Sequence, residues 1–174
     1  MTRTRRRLVV VVAVALVAGI AAVSVVLLTG GGEDHPGPTG PVLSASAFTT
    51  RAEAICAGLA SATDPLTEAE TTNATGATVE QAFRSRSATL RKLADDLGRL
   101  NPPTESAADA AKLVGKLRDY ADGLDELAGT VRSGQGVLDV FNANGARVDA
   151  LNAIAQTVGT KAILLGLDNC VTLG

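Results

Sequence analysis

Aromatic residues are almost absent from this chain of 174 residues, which contains no Trp, one Tyr and three Phe. Proteins that hold sugars or unpaired bases stack them on aromatic rings, and too few rings are present here to build such a platform. The single histidine, His35, lies in a Gly- and Pro-rich stretch. The apolar residues are mostly Ala, Leu and Val, which suits closely packed helices.

Sequence motifs for chemistry are also missing. The chain has no Glu-x-x-His pair of the di-iron type, no phosphate-binding glycine loop and no nucleophile elbow. Carboxylates cluster at positions 95–96 and 122–126, and a metal site there is the alternative to our interpretation, the solvated faces of helices. We therefore expect a protein that is not an enzyme, with no catalytic residue, no cofactor and no metal.

The net charge of −2 combines two regions of opposite sign. Four arginines stand within residues 1–7, and beyond them 12 Lys and Arg oppose 18 Asp and Glu, which leaves a net charge near −6. An acidic domain is poorly suited to bind nucleic acid or anionic phosphate surfaces. We expect no nucleic-acid partner.

The longest apolar run extends from Leu8 to Leu28, 21 residues without a charge. As a helix it would be about 31 Å long, the thickness of a bilayer's hydrocarbon core. The basic cluster precedes it, and no basic residue follows until Arg51. The positive-inside rule then predicts a cytoplasmic N-terminus at 1–7, a single transmembrane segment at 8–28 and an extracytoplasmic remainder in the cell membrane of the organism.

Two alternatives to an uncleaved signal-anchor remain open. A signal peptide cut near Ala21 and Ala22 is one, although its apolar region usually spans only about 7–15 residues. The other alternative is a twin-arginine signal, to which residues 4–9 bear a weak resemblance. We favour the anchor because of its length. Residues 29–45 are rich in Gly, Pro and Thr and are interpreted as a flexible linker to a domain at 46–174.

Helical periodicity runs through the exported part, and no strand-like alternation follows residue 45. Apolar residues recur at three- and four-residue steps within four segments: at about 46–63, at 78–100, from the Pro102-Pro103 break to 131, and at 137–165. The seam of the second segment consists of Val79, Phe83, Leu90, Leu93, Leu97 and Leu100. The third segment is the most regular, and its apolar seam consists of Ala110, Leu113, Leu117, Tyr120, Leu124, Leu127 and Val131. We predict an all-α fold: a transmembrane helix followed by an antiparallel ectodomain resembling a four-helix bundle.

We make separate predictions for three residues in or next to these segments. Arg91 is expected to pair with Asp95 one turn along its helix. Asn144 falls on the seam of the fourth segment and is interpreted as a polar residue that sets the register. Gly166 is expected to cap that segment.

Only two cysteines are present, Cys56 and Cys170, and both follow the predicted membrane segment, where thiols are normally oxidised. Cys56 lies on the apolar face of the first segment and Cys170 follows the fourth. Because an up-down-up-down arrangement brings these ends together, we predict a structural disulfide. A redox-active or metal-binding pair is the alternative, disfavoured because there is no Cys-x-x-Cys and the one histidine lies in the linker.

The residues around the cysteines resemble a known group of proteins. Phe48–Cys56 reads FTTRAEAIC, and Leu165–Cys170 reads LGLDNC. Together with Pro102-Pro103 and the membrane segment, they resemble actinobacterial exported helical proteins of unknown function, which open on F-x-x-x-A-x-x-I-C and close on G-L-x-x-C. The resemblance covers most of residues 48–170 and implies an envelope location and paired cysteines; it implies no activity.

Two functional hypotheses follow. The first is a membrane-tethered, non-enzymatic helical module that binds a cell-envelope protein or supports an assembly. The second is a carrier of a small molecule or lipid within a cavity of the bundle. A pocket of several hundred Å³ lined by apolar side chains favours the carrier, whereas a filled bundle with an exposed apolar stripe favours the module.

Overall fold

The computed structural model describes residues 37–60 and 64–171 of the chain. This part of the protein is all-helical, with seven helices and no strand, and the predicted fold class is confirmed at that level. The helices are α1 (Ala45–Ala60), α2 (Pro65–Thr71), α3 (Ala77–Gly98), α4 (Ala107–Ala128), α5 (Val137–Ala143), α6 (Gly145–Leu164) and α7 (Asp168–Val171).

The predicted membrane segment at 8–28 lies outside the described residues. Among the helices that are described, none combines the length and the apolar character needed to cross a bilayer.

Helix α4 lies between α3 and α6 and contacts both. Arg91 of α3 pairs with Asp122 and Asp125 of α4, at 2.6 and 2.5 Å. Further along α3, Asp95 pairs at 2.9 Å with Arg118, which stands earlier on α4. Because the contacts run in opposite directions along the two helices, α3 and α4 are antiparallel. The expected Arg91–Asp95 pair is wrong, since Arg91 reaches across to two carboxylates of the neighbouring helix. Its hydrogen bond to Asp122 is the main reason that the Arg91 pKa is raised.

Helix α6 packs against α4 in the antiparallel sense as well. Two ion pairs show this by their positions: Arg147–Glu126 at 2.9 Å and Lys161–Asp109 at 2.6 Å. Between them the helices approach closely at a glycine. A Cβ atom on Gly123 would stand 2.5 Å from Cδ2 of Leu151, so the missing side chain makes room for this leucine.

The apolar seam predicted for the third segment lies in the core of the domain. Leu113, Leu117 and Leu124 are at most 2% exposed, whereas Tyr120 and Val131 are half-buried at its edge. Burial raises the pKa of the Tyr120 phenol, while the nearby Arg86 charge lowers it and that of Asp64 raises it. The facing residues of α3 follow the predicted spacing and are also buried: Val79, Phe83, Leu90, Leu93 and Leu97.

Helix α2 lies between the first and second predicted segments, where the sequence predicted no helix. Asp64 caps the helix, because its Oδ1 accepts a hydrogen bond from the backbone N–H of Leu66 at 2.8 Å, and Pro65 suits the first turn. The other carboxylate oxygen of Asp64 lies 3.3 Å from Arg86 of α3. With seven residues and one buried side chain, Ala69, the helix is too short to show periodicity.

The fourth predicted segment is two helices and not one. Asn144 leaves the helical conformation (φ −122°) and separates α5 from α6. Its side-chain amide donates to the carbonyl of Val140 at 2.8 Å and to the hydroxyl of Thr130 at 3.1 Å. Asparagine competes in this way for backbone hydrogen bonds. The residue therefore breaks the helix and ties the break to the end of α4; it does not set a register within a continuous seam.

Leu117 provides the sharpest test of this core. Leu117→Ala should lower the free energy of unfolding by about 2–5 kcal/mol, because the side chain is 1% exposed and its removal leaves a cavity. Denaturant unfolding followed by circular dichroism measures the loss. Lys112→Ala, on the exposed face of the same helix, should change it by no more than about 0.5 kcal/mol. Equal losses would contradict the helix phase.

Candidate functional site

Cys56 lies on a buried stripe of α1. Phe48, Ala52 and Cys56 recur every four residues and are 4%, 0% and 0% exposed. Cys170 belongs to α7 and is 1% exposed. The two sulfur atoms are at bonding distance and the Cα atoms are 5.1 Å apart, within the range of disulfides. The structure thus brings together the two cysteines for which the sequence predicts a disulfide.

A left-handed glycine directs the chain from α6 back towards α1. Gly166 has φ +67°, a conformation that glycine adopts at little cost. Its N–H donates to the carbonyl of Ile163 at 3.0 Å, and that of Leu167 donates to Ala162 at 2.9 Å, the two bonds of a Schellman motif. Leu167 is then fully buried. Gly166 caps the helix as predicted, and the turn places Cys170 beside α1.

Glu53 of α1 forms hydrogen bonds with α7 beside the disulfide. Its carboxylate accepts the backbone N–H of Asn169 at 3.2 Å and also the side-chain amide of that residue. The opening and closing stretches that carry the family resemblance, 48–56 and 165–170, therefore contact one another. Because both sulfur atoms belong to fully buried residues, the pair is suited to a structural role.

The carboxylates considered as an alternative metal site are engaged elsewhere. Asp122 and Asp125 pair with Arg91, and Glu126 pairs with Arg147. Within the described ranges, no three His, Cys, Asp or Glu side chains gather in a way that could hold a metal ion.

The outward face of α6 is unusually poor in charge. Ten residues of this helix are exposed, and Asp149 is the one charged residue among them, whereas four of the seven exposed residues of α4 are charged. The two basic residues of α6, Arg147 and Lys161, pair with carboxylates of α4. Five of the ten exposed residues are small, and the other uncharged ones are two amides and two large apolar residues at the end of the helix. The small ones are Gly145, Ala146, Ala150, Ala153 and Thr160, and the others are Asn152, Gln156, Ile163 and Leu164. No pattern in the sequence indicated this face, because the rotation of α6 about its own axis relative to α4 decides which side is covered.

An apolar groove of about 320 Å³ opens between the end of α3 and the first half of α4. Leu97, Leu100 and Val114 contribute its larger apolar side chains, and Gly37 and Pro38 border it. Arg118 is its one charged lining residue. The Nη2 atom of this arginine donates to Asp95 at 2.9 Å, while its buried Nε has no hydrogen-bond partner among the described residues.

Comparisons of this chain with protein-family models, with curated proteins and with solved structures found no match.

The cysteine pair generates a direct prediction. Mass spectrometry of the protein isolated without reductant should show the peptides of Cys56 and Cys170 joined. The double variant Cys56→Ser/Cys170→Ser should lose roughly 4–5 kcal/mol of unfolding free energy, because a bond across 114 residues restricts the unfolded chain. Guanidinium unfolding measures this loss. Two thiols that alkylate freely in the native protein would contradict the prediction.

Proposed function

We propose that this protein is a single-pass membrane protein whose extracytoplasmic helical domain binds another protein of the cell envelope and catalyses no reaction. In this proposal residues 1–7 stay in the cytoplasm and Leu8–Leu28 is an uncleaved signal-anchor. The domain that follows is an antiparallel four-helix-bundle-like ectodomain closed by the Cys56–Cys170 disulfide. The resemblance to actinobacterial exported helical proteins supports the location in the envelope.

Helix packing supports the bundle in this proposal. The antiparallel helices α3, α4 and α6 form a row, and α1 contacts α3. Helix α7 contacts both α6 and α1, so the short C-terminal helix links the last long helix to the first.

The observation that carries the proposed binding function is the outer face of α6. Asp149 is the one charged residue among the exposed positions of α6, and the cores of protein interfaces are depleted in charge. One side of α6 is covered by α4, while Ala146, Ala150 and Ala153 remain exposed. Small side chains let a second backbone approach closely. Because the exposed side of α6 carries little charge, the partner surface we propose is itself poor in charge.

Crosslinking in intact cells tests this proposal. A photo-reactive amino acid at Ala153 should yield one discrete adduct, which mass spectrometry identifies as an envelope protein. Adding Ala150→Arg should reduce that adduct by about tenfold, because an unpaired charge is costly to bury at an interface. The same photo-reactive residue at Asp119, exposed on α4, is the control and should give no adduct. Equal adducts from both positions would contradict the proposal.

One specific observation supports the carrier hypothesis, namely the groove beside α4. Its volume of about 320 Å³ is at the lower end of that of ligand pockets, and its apolar walls meet the Arg118 guanidinium. This combination suits an apolar chain with a hydrogen-bond-accepting head. The groove lies at the surface between α3 and α4, whereas the sequence predicted a cavity within the bundle.

A photo-reactive fatty acid supplied to cells tests the carrier. Labelling should map to the first half of α4, and Ala111→Trp, which fills the groove, should reduce labelling severalfold. Ala108→Trp, exposed on α4 outside the groove lining, is the matched control and should leave labelling unchanged. Equal labelling of both variants would exclude the groove as the binding site.

A further inference from the structure

The described domain has two distinct ends. At the first, which we name the entry end, residues 37–44 cross the connection 99–106: Thr39 N–H donates to Arg99 O at 3.0 Å and Leu43 N–H to Asn101 O at 2.8 Å. The last turn of α6 lies at the same end, because Lys161 pairs with Asp109 in the first turn of α4.

Helix α5 marks the far end. It follows the connection 129–136, and that connection meets the start of α3 through a hydrogen bond from Gly76 N–H to Gln135 O at 2.9 Å. Helix α3, with 22 residues, separates the two ends by about 33 Å.

Large apolar side chains are exposed mainly at the entry end. Four are mostly exposed among the described residues, and three of them, Val42, Ile163 and Leu164, lie there at 62%, 64% and 63% exposure. Leu138 of α5, at 59%, is the fourth and lies at the far end.

We infer that the entry end rests on the membrane surface, with Val42, Ile163 and Leu164 inserted among the lipid headgroups. The inference depends on the proposed membrane anchor. Eight residues, 29–36, separate Leu28 from the described domain, and even fully extended they reach at most about 29 Å. The entry end is therefore held close to the bilayer, and contact with it is effectively intramolecular.

The chemistry of the entry end matches a lipid interface. Apolar side chains that lie at the acyl boundary are commonly flanked by basic ones with long stems, and Arg51 and Arg99 border residues 39–43. Carboxylates stand here too: Asp109 pairs with Lys161, and Glu105 is exposed. The contact we propose accordingly depends on apolar insertion and not on a net positive charge.

The absence of Trp from the chain makes the test simple. Full-length Ile163→Trp and Val42→Trp are single-tryptophan reporters at the entry end, and Leu138→Trp is the matched control at the far end. Each is reconstituted into vesicles of phosphatidylcholine and phosphatidylglycerol, with or without bromine atoms on the acyl chains. Insertion to about 5–10 Å should make quenching of the two entry-end reporters at least about twofold stronger than that of the control.

The outcomes separate the two proposals. A full-length chain that fails to float with the vesicles overturns both the anchor and the membrane contact. Flotation with equal quenching at all three positions overturns the contact alone. A blue-shifted but unquenched Ile163→Trp signal overturns it as well and indicates that the side chain is buried against protein, within the domain or against a second copy of the chain. Unchanged circular dichroism in each variant excludes misfolding as the cause.

Discussion

The burial of the α4 seam is the interaction on which the rest of the described structure depends. Helices α3 and α6 both pack against this one helix, and its seam leucines Leu113, Leu117, Leu124 and Leu127 are at most 2% exposed. Polar residues of α4 also contact both neighbouring helices. Asp122 and Asp125 bind Arg91 of α3, while Asp109 binds Lys161 of α6. Apolar packing sets the distance between the helices, and the flanking ion pairs agree with a single antiparallel register.

With α6 packed on α4, three residues after α6 bring the chain back into contact with α1. Gly166 turns the backbone at a positive φ, Leu167 enters the core, and Cys170 reaches Cys56. This junction links α1 to the end of α6 through α7, although α1 and α6 themselves make little direct contact. A disulfide is most stabilising where it closes a long segment of chain, and these cysteines stand 114 positions apart.

The same packing leaves two surfaces uncovered. The basic residues of α6 pair with carboxylates of α4, so the exposed side of the helix carries little charge. This is the face for which we propose a protein partner. At the entry end, the chain that leaves towards the predicted anchor lies beside three exposed apolar side chains. The two surfaces serve different purposes in our proposals: the end of the domain contacts lipid, and its flank remains available to a protein.

The sequence predicted most accurately where one side of a long helix is buried. The steps from Ala110 to Leu127 and from Val79 to Leu97 correctly identified core residues, because a helix repeats its environment every three to four positions. The sequence-based prediction failed where a helix is interrupted by a side-chain hydrogen bond or is too short to show a period. At Asn144 a side-chain amide interrupts a helix whose apolar pattern continues, and at α2 seven residues are too few to reveal a period. Arg91 failed for a different reason, since its partners stand more than 30 positions away.

By itself the sequence determined the all-helical character of the domain, the phase of its long helices and the turn at Gly166, because these depend on local spacing and on the conformational freedom of one residue. Only the tertiary structure decided which side of α6 is covered, where the groove beside Arg118 forms and which apolar side chains remain exposed at the entry end. Those features arise between elements distant in the sequence, and no local pattern records how two helices are rotated against each other.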